Sequence, residues 1–314
     1  MGIFRGGKMR EQGRIDVPRG TTYFILGPTG SGKSALAVAV AELLGNAEIV
    51  SADAYQVYRG MPILTAAPSM EERDRVPHHL VECMELTENN DAATHARRAG
   101  ECIRDIHARG KIAIVTGGSG LYVKFISHGI SPAPPSSAAL RADLETRPFE
   151  EVVEEFRRID PEGAAATNLQ NPRYVIRNLE IVLLGGKPLS HWKSNWTSPI
   201  GAGLHLVWET AALDARIAHR AKKMLAEGVV QEIAALQNRV LSDTASRTLG
   251  LPQVQAHLRG EISAAELEAS LALATRQYAK RQRTWLRRET WLHALSAGED
   301  VTILARKAIN LLLG

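Results

Sequence analysis

The chain has 314 residues, of which 45% are hydrophobic, 23% charged and 5% aromatic, and its formal net charge is +4. At roughly 150 residues per domain, this length predicts about two domains, and the apolar fraction excludes a wholly disordered chain. The 26 glycines and 14 prolines are ordinary numbers and exclude a collagen-like or low-complexity protein. Because no apolar run approaches the roughly 18 residues of a membrane-spanning helix, we expect no membrane partner.

Cysteine usage and the N-terminal charge indicate where the protein works. Cys83 and Cys102 are the only cysteines, and neither a CxxC pair nor a zinc-ligand spacing surrounds them. A disulfide scaffold and a cysteine-based zinc site are therefore excluded, and we expect a reducing, cytoplasmic location. Residues 1–20 are polar and basic and lack the apolar segment of a secretory signal, so we interpret them as a mobile basic tail.

Strands and helices alternate through the first part of the chain. The hydrophobic pattern predicts strands over 22–26, 48–51 and 111–116, with helices over 34–44 and 92–108 between them. Strands that alternate with helices are typical of an α/β fold, in which helices cover both faces of a parallel sheet.

A change in composition indicates a second domain inserted into the first. Residues 131–137 and 197–201 are turn-rich, and mostly charged helical segments lie between them. The pattern then predicts one more strand over 204–208 and only helices from Asp214 onward. The predicted organisation is a core over 21–130 and 199–314, which includes a helical C-terminal region, and a helical insertion domain over 131–198.

The loop after the first strand carries the strongest motif. Residues 27–34, GPTGSGKS, match GxxxxGK[ST] at every fixed position and lie between a predicted strand and a predicted helix. In such a loop, backbone N–H groups converge on a phosphate, the lysine reaches terminal phosphate oxygens and the hydroxyl binds Mg²⁺. We therefore predict a di- or triphosphate site in a P-loop NTPase-like core, with Mg²⁺ on Ser34. The predicted phosphate ligands are Gly27, Thr29, Gly30, Ser31, Gly32, Lys33 and Ser34.

The acid that holds Mg²⁺ in an ordinary P-loop enzyme is absent from its usual strand. The strand over 111–116 runs through two glycines into Ser119 without a carboxylate, whereas Asp53 follows the strand over 48–51. Loops at the carboxyl ends of parallel strands share one crevice, so we expect Asp53 and Ser119 to face the phosphate loop. A carboxylate there can bind a metal or accept a proton from a nucleophile.

Six sequence blocks, taken in order, resemble one enzyme family. After GPTGSGKS come SAD with QVYRG, VPHHL, GGSGLY, NPR with RNLE, and TRQYAKRQ with TW; they start at residues 51, 56, 76, 117, 171, 177, 275 and 284. This series is similar to the tRNA dimethylallyltransferase (tRNA isopentenyltransferase) family. The likeness spans about residues 22–288, and the ordered set is far more specific than any single block.

The resemblance implies a chemistry for these residues. It implies transfer of a dimethylallyl group from dimethylallyl diphosphate to N6 of the adenosine 3′-adjacent to the anticodon of tRNA. The P-loop and Mg²⁺ would then hold the prenyl diphosphate rather than a nucleotide. By position, Lys33, Asp53 and Ser119 match the catalytic residues, with Asp53 as the base and Ser119 in place of a hydroxyl residue that is usually Thr. Arg247 lies where the family carries an Arg near the donor phosphates or the tRNA, and we predict it as a diphosphate ligand.

The resemblance and the charge distribution together predict an RNA-binding surface. Gln56 matches the stretch that contacts tRNA after the catalytic Asp and is a candidate for reading the extruded adenine. Residues 276–288 hold six basic residues and no acid, which suits a phosphate backbone, and Tyr278 and Trp285 are predicted on the opposite side, facing the core. The predicted tRNA-binding residues are Asp53, Ala54, Tyr55, Gln56, Arg59, Arg173, Arg177, Arg276, Gln277, Lys280, Arg281 and Arg283.

Some positions depart from the family pattern. Ala67 stands where a Lys is common, and Tyr174 follows Arg173 where the family pairs two arginines. Residues 131–162 carry 4 basic and 8 acidic residues, and residues 163–198 carry 4 basic and 1 acidic residue. Only the second half of the insertion is therefore suited to an anticodon stem. These departures predict weaker tRNA binding or a shifted footprint.

Three other functions stay open on the sequence. A P-loop small-molecule kinase would use ATP and is normally a shorter chain without a basic C-terminal helix. An adenylate isopentenyltransferase would act on free AMP and need neither the insertion nor that helix. A non-catalytic RNA-binding protein would not need Lys33, Ser34, Asp53 and Ser119 together. We favour the transferase, as a monomer whose partners are tRNA and dimethylallyl diphosphate.

Overall fold

Six parallel strands form one sheet in the structure, a computed structural model that describes residues 20–192 and 197–313. The predicted basic tail, residues 1–20, lies outside the described residues except for Gly20. The strands are β1 (Thr22–Leu26), β2 (Ala47–Ser51), β3 (His78–His79), β4 (Ile112–Gly117), β5 (Ala202–Val207) and β6 (Leu292–Ser296). Their order across the sheet is β3-β2-β4-β1-β5-β6, and every pairing is parallel.

Helices follow most of the strands. They are α1 (Lys33–Leu44), α2 (Pro62–Thr65), α3 (Met70–Arg75), α4 (Ala92–Ala108), α5 (Gly120–His128), α6 (Ala138–Thr146), α7 (Phe149–Ile159), α8 (Pro161–Ala165), α9 (Pro172–Gly185), α10 (Thr210–Ala226), α11 (Val229–Ala234), α12 (Leu251–Leu258), α13 (Ala264–Leu286) and α14 (Val301–Leu313), with short 3₁₀ turns at Leu189–Trp192 and Ala245–Arg247. Over the described ranges, none of them has both the length and the apolar character needed to cross a bilayer.

The two faces of the sheet pack two separate hydrophobic clusters. Along β1, Ile25 faces the cluster that includes residues of α1 and α14, while Phe24 faces the cluster that includes residues of α4 and α5. β4 alternates in the same way, with Ile114 on the first face and Val115 on the second. A strand covered on both sides reads as a continuous apolar run, which is why these strands were predictable from sequence.

The chain divides into two compact units. One comprises residues 1–128 and 198–314 and holds the sheet, and the other comprises residues 129–197. The predicted insertion domain was 131–198. In the second unit, α6 to α9 surround a core of its own in which Phe156 and Leu179 are fully buried.

The prediction of a wholly helical region after Asp214 is wrong, because β6 (Leu292–Ser296) pairs with β5 at the edge of the sheet. Only Leu292 and Leu295 of β6 are buried, so the segment lacks the apolar run that marks the inner strands. The backbone pairing with β5, and not the local side-chain pattern, makes this segment a strand.

Glu48 on β2 is the acid at the centre of a charged cluster. Its side chain is only 2% exposed and accepts hydrogen bonds from Arg109 Nη2 (2.8 Å), Lys111 Nζ (2.6 Å) and His79 Nε2 (2.8 Å). The Arg109 guanidinium, followed by Lys111 and His79, holds the pKa of Glu48 far below its ordinary value, against the opposing effect of burial.

Replacing Glu48 should therefore destabilise the protein in a pH-dependent way. We expect Glu48→Gln to lower the free energy of unfolding at pH 7 by roughly 2 kcal/mol, because three donors lose their anionic partner. The folded pKa of Glu48 lies below its unfolded value of about 4.5, so this stability is present above that pH and is lost as the pH falls. Urea unfolding at pH 7 and pH 4 measures both effects. Glu261→Gln, in an exposed pair with Arg259, is the control and should change little; equal effects of the two variants would contradict the prediction.

Candidate functional site

Three loops meet at the carboxyl edge of the sheet because β4 pairs with both β1 and β2. The loop after β1 is the phosphate loop, residues 27–34, the loop after β2 carries Asp53 and the loop after β4 carries Ser119. A backbone hydrogen bond joins two of these loops where they leave their strands: Gly27 N donates to the carbonyl of Gly117 at 3.2 Å. The structure thus brings the phosphate loop, Asp53 and Ser119 to one edge, as expected for parallel strands.

The phosphate loop turns through two glycines. Gly30 and Gly32 have φ angles of +80° and +86°, a left-handed conformation that residues with a side chain rarely adopt. α1 begins at Lys33, immediately after the second glycine. The N–H groups of its first turn and its helix dipole therefore point towards the loop, and together they form an anion site.

Side chains from α10 and the segment before it brace this loop. Trp208 Nε1 donates to the carbonyl of Ser31 at 2.9 Å, and Arg216 Nε donates to the carbonyl of Gly30 at 2.9 Å. The Arg216 guanidinium also stacks over the Trp208 ring, 4.6 Å from its centroid. These contacts fix loop carbonyls and so hold the loop in shape before an anion binds.

Asp53 is oriented by its own turn. Its Oδ1 accepts from the amides of Tyr55 at 2.9 Å and Gln56 at 3.4 Å, which is an Asx turn. His95 also fixes the end of β2, because its Nε2 lies 2.8 Å from the carbonyl of Ser51. Burial lowers the pKa of His95, so its ring is neutral at pH 7 and serves as a hydrogen-bond donor to that carbonyl.

Two cations lie beside Asp53. Burial lowers the pKa of Lys33 to about 8, although the nearby charge of Asp53 opposes the shift. Burial also lowers the pKa of Arg220, whose Nη1 lies 3.4 Å from Thr29 Oγ1 in the phosphate loop. Two desolvated cations with one carboxylate leave a net positive charge, which favours the binding of a multiply charged anion.

A cavity with about 330 Å³ of open space lies against these groups. Tyr278 reaches it from α13, and its Oη lies 3.0 Å from Ser119 Oγ. Burial raises the pKa of Tyr278, so the phenol stays protonated at neutral pH. The lining residues are Thr29, Asp53, Tyr55, Leu64, Thr65, Arg220, Thr248, Leu249 and Tyr278.

The orientation predicted for the C-terminal basic helix needs correction at one residue. Trp285 packs against the cluster on the α4 face of the sheet, as predicted. Tyr278 was also predicted to face the core, but it lines the cavity beside Asp53. On a helix that spans both the core and the edge of the sheet, residues on one face do not share one environment.

Other predicted site residues lie away from the cavity lining or are already engaged. Arg247 is exposed, although the following residue, Thr248, lines the cavity. Gln56 is buried, and its Oε1 accepts from Ser51 Oγ at 3.1 Å while its Nε2 donates to the carbonyl of Ala66 at 3.0 Å. Ala54 is buried as well. Their predicted roles in binding stay predictions.

The predicted RNA contacts on α13 vary in exposure. Gln277, Lys280 and Arg281 are exposed, whereas Arg276 and Arg283 are partly buried. Outside this helix, Arg59 is exposed and pairs with Glu85 at 2.6 Å.

The two arginines predicted in the insertion behave differently. Arg173 is exposed, whereas Arg177 donates to Glu180 at 2.7 Å and to the carbonyl of Pro134 at 2.6 Å. Glu180 is fully buried and also accepts from Arg141. In this structure Arg177 therefore helps to hold its own unit together.

Arg216 and Arg220 are the functional residues that sequence reasoning missed. They lie four residues apart on α10, and each directly precedes a member of the buried row Leu213, Ile217 and Ala221. A cation beside an apolar helical row is partly desolvated, which is costly unless the charge has a partner or a ligand. That pattern was the available signal for Arg220.

The parallel sheet and the GxxxxGKS loop, with Lys33 and Arg220 beside it, define an α/β protein of the P-loop class. The family model described as IPP transferase matches residues 56–289, and the chain belongs to that family. This confirms both the fold class and the family resemblance inferred from the sequence blocks.

Several relatives and solved structures are similar to this chain over most of their length. A tRNA dimethylallyltransferase of Akkermansia muciniphila is 59% identical over 277 residues, 88% of this chain and 93% of that protein, and one of Geobacter metallireducens is 40% identical over 276 residues, 85% and 89%. Among solved structures, the full-length tRNA isopentenylpyrophosphate transferase of Bacillus halodurans is 31% identical with a TM-score of 0.68, covering 92% of this chain and 94% of that chain. A eukaryotic dimethylallyltransferase acting on tRNA is 25% identical with a TM-score of 0.76, covering 89% and 74%.

The lowered pKa of Lys33 predicts a pH dependence of anion binding. Because Lys33 loses its proton as the pH rises through about 8, the affinity for pyrophosphate should fall across that range. Calorimetric titration of pyrophosphate from pH 6.5 to 9.5 measures it. The ligand itself titrates, so the comparison is with Lys33→Met, which should bind more weakly and lack the part of the pH dependence that Lys33 contributes. Parallel pH profiles for the two proteins would contradict the assignment.

Arg220 should contribute to the same affinity. We expect Arg220→Gln to weaken pyrophosphate binding roughly tenfold or more, because a partly buried guanidinium gives strong charge-assisted hydrogen bonds to phosphate oxygens. Lys222→Gln removes one exposed charge from the same helix and should bind pyrophosphate nearly as well as the wild type. Equal losses in both variants would indicate a general charge effect and would contradict a direct role of Arg220.

Proposed function

We propose that this protein transfers a dimethylallyl group from dimethylallyl diphosphate to N6 of the adenosine 3′-adjacent to the anticodon in tRNA. The cavity carries the proposal, because Asp53, a carboxylate that can accept a proton, lines it together with the cation Arg220 and the phosphate-loop residue Thr29. A nucleophile that enters the cavity meets the carboxylate while the leaving anion faces the phosphate loop. The names of the relatives support the same donor group and acceptor.

The diphosphate is bound by the phosphate loop and by two partly buried cations, Lys33 and Arg220. The backbone N–H groups of Gly30, of Gly32 and of the first turn of α1 donate to its oxygens, since the amides of Gly27, Thr29 and Ser31 are engaged within the protein. Lys33 and Arg220 neutralise part of its charge. In the transition state the charge on the departing pyrophosphate increases, so preorganised donors stabilise it more than the ground state. This stabilisation is what promotes cleavage of the allylic C–O bond.

The transfer step involves one bond broken and one bond formed. The N6 nitrogen attacks C1 of the dimethylallyl group, the C1–O bond breaks, and its electron pair leaves with pyrophosphate. The N6 proton passes to the carboxylate of Asp53, whose orientation is set by the amides of Tyr55 and Gln56. Ser119 lies beside this centre through its contact with Tyr278.

The residues present suit Mg²⁺ held mainly by the substrate. In the described part of the chain, no three His, Cys, Asp or Glu side chains are grouped as metal ligands. The Ser34 hydroxyl, in the first turn of α1, offers one oxygen donor, and Mg²⁺ commonly takes its other ligands from phosphate oxygens and water. We propose that Ser34 holds the ion, which when bound neutralises charge on the diphosphate.

The acceptor adenosine must leave its stack to reach the cavity, at a cost of a few kcal/mol. The exposed basic residues Lys280 and Arg281 of α13 are suited to the RNA backbone, and contacts of this kind offset that cost. Since the phosphate loop, Asp53, Ser119, Lys33 and Arg220 all belong to one chain, we propose that a monomer is sufficient for activity.

Asp53→Asn tests the central step. We expect the transfer rate to fall roughly 10³-fold, because the amide cannot accept the N6 proton. The affinity for pyrophosphate should be retained or rise, since the variant removes a negative charge beside Lys33 and Arg220. Labelled dimethylallyl diphosphate, Mg²⁺ and tRNA provide the rate, and calorimetry provides the affinity. Asp74→Asn, at an exposed position on α3, is the matched control and should transfer at the wild-type rate.

The same assay separates the competing functions. Wild-type protein is incubated with labelled donor and either tRNA or AMP, and the product is digested and examined for N6-prenyl adenosine. Label in tRNA supports the proposal, whereas label in AMP alone identifies a nucleotide prenyltransferase. Label in neither acceptor would overturn the prenyl-transfer assignment. A wild-type rate for Asp53→Asn would overturn the role of Asp53 as the base.

A further inference from the structure

Three side chains of α13 face the loops of the site. Tyr278, Gln282 and Trp285 lie at helical spacing on one side of the helix, whereas Lys280 and Arg281 between them are exposed. All five residues belong to the blocks TRQYAKRQ and TW. The proposed function gives the basic residues a role in RNA binding, but it gives none to the tyrosine, the glutamine or the tryptophan.

The side chain of Gln282 packs between two loops of the site. Its side chain is 4% exposed, and its Oε1 accepts the amide of Thr29, in the phosphate loop, at 2.8 Å. On its other side, a Cβ added at Gly118 would lie 2.6 Å from Gln282 Nε2 and 2.5 Å from the carbonyl of Gly27. One buried amide therefore touches both the loop after β1 and the loop after β4.

Tyr278 contacts the reacting side of the same loop. Its Oη lies 3.0 Å from Ser119 Oγ, and its ring lines the cavity that contains Asp53. The Arg281 guanidinium lies 5.5 Å from the centroid of that ring, which helps to hold it in place. Because a serine hydroxyl rotates freely unless it is bonded, Tyr278 sets the direction of the Ser119 hydroxyl.

Trp285 restricts movement of the helix relative to these loops. A Cβ added at Gly120 would lie 2.8 Å from the Trp285 ring, so the indole packs directly on the backbone after Ser119. Glycines at 118 and 120 thus allow α13 to approach the loop after β4 more closely than residues with side chains would. The helix thus contacts residues 118, 119 and 120 after β4 and Thr29 of the phosphate loop.

We propose that Tyr278 and Gln282 are positioning residues for the transfer reaction, in which Gln282 fixes the phosphate loop relative to the Ser119 loop and Tyr278 orients the Ser119 hydroxyl. This inference rests on the proposed function. It assigns to α13 a second task besides RNA binding: its inner face aligns the reacting groups. The positioning residues act through Ser119 and Thr29 and do not themselves react.

A double-mutant cycle tests the role of Tyr278. Tyr278→Phe keeps the ring and removes only the hydroxyl, and we expect it to lower kcat about tenfold with little change in the KM for tRNA. In a Ser119→Ala background the same substitution should change kcat by less than about twofold, because the group through which it acts is gone. Thr284→Val removes an exposed hydroxyl from the same helix and should leave kcat unchanged.

The outcomes of the cycle are distinct. Equal losses from Tyr278→Phe in the two backgrounds, or no loss in either, would overturn the positioning role of Tyr278. Thermal unfolding of each variant shows whether a loss reflects a smaller folded fraction; a loss of kcat fully accounted for by unfolding also overturns it. Absence of transfer by the wild-type protein would overturn the proposed function itself, and this inference with it.

Gln282 is tested by the separation of KM from kcat and by a binding measurement. We expect Gln282→Met, which keeps the volume and loses the acceptor, to raise the KM for dimethylallyl diphosphate and the dissociation constant for pyrophosphate about tenfold. A purely structural role would lower the melting temperature without changing either constant, and that result would overturn the assignment. The dissociation constant for pyrophosphate does not depend on turnover, so it tests the role of Gln282 separately from the transfer chemistry.

Discussion

The hydrogen bonds that join β4 to β1 and to β2 are the constraint on which the whole site depends. They set which residue of each strand comes last at the carboxyl edge and hence which loop atoms can meet. A shift of one residue in either register would move a loop by about 3.3 Å and turn alternate side chains to the opposite face. The phosphate loop, Asp53 and Ser119 are close because three adjacent strands end level with one another.

The cations of the site destabilise the protein when no anion is bound. Lys33 and Arg220 are desolvated beside a single carboxylate, and burial lowers the pKa of both cations. Such groups destabilise the folded state until an anion neutralises them. The bracing of the phosphate loop by Trp208 and Arg216 is consistent with this cost, since a loop that was free to relax would move its donors away from the cations. For the proposed diphosphate, binding would neutralise these two cations and so relieve part of that cost.

Much of this architecture could be predicted from the sequence, and the reasons are local. β1 and β4 are buried on both faces and read as continuous apolar runs, and the phosphate loop is a contiguous motif between a strand and a helix. The position of Asp53 followed from parallel topology alone. What the sequence did not reveal depends on pairings between distant segments: β6 is a strand because β5 lies beside it.

The side chains around the site also depend on contacts with distant segments of the chain. Arg220 lies in an amphipathic helix whose pattern does not clearly distinguish it from an ordinary surface arginine. Tyr278 was assigned to the core because helical periodicity predicts the side of the helix on which a residue lies, but not which part of the protein faces that side. For Gln56, the sequence suggested a base-reading role, whereas the structure shows both ends of its amide engaged within the protein. A sequence motif can indicate the chemistry of a site, but it does not show whether the polar atoms of a given side chain are free to bind a ligand.

The contact between Thr29 and Gln282 joins residues that are 253 positions apart in the chain. During synthesis at roughly 5–20 residues per second, the phosphate loop leaves the ribosome about 13–50 s before the glutamine that supports it. A nascent chain therefore has the phosphate-loop sequence long before it has the helix that contacts it. On the positioning role proposed for Gln282, premature termination within α13 before this residue would yield a chain with the phosphate-loop motif but without the side chain that fixes it.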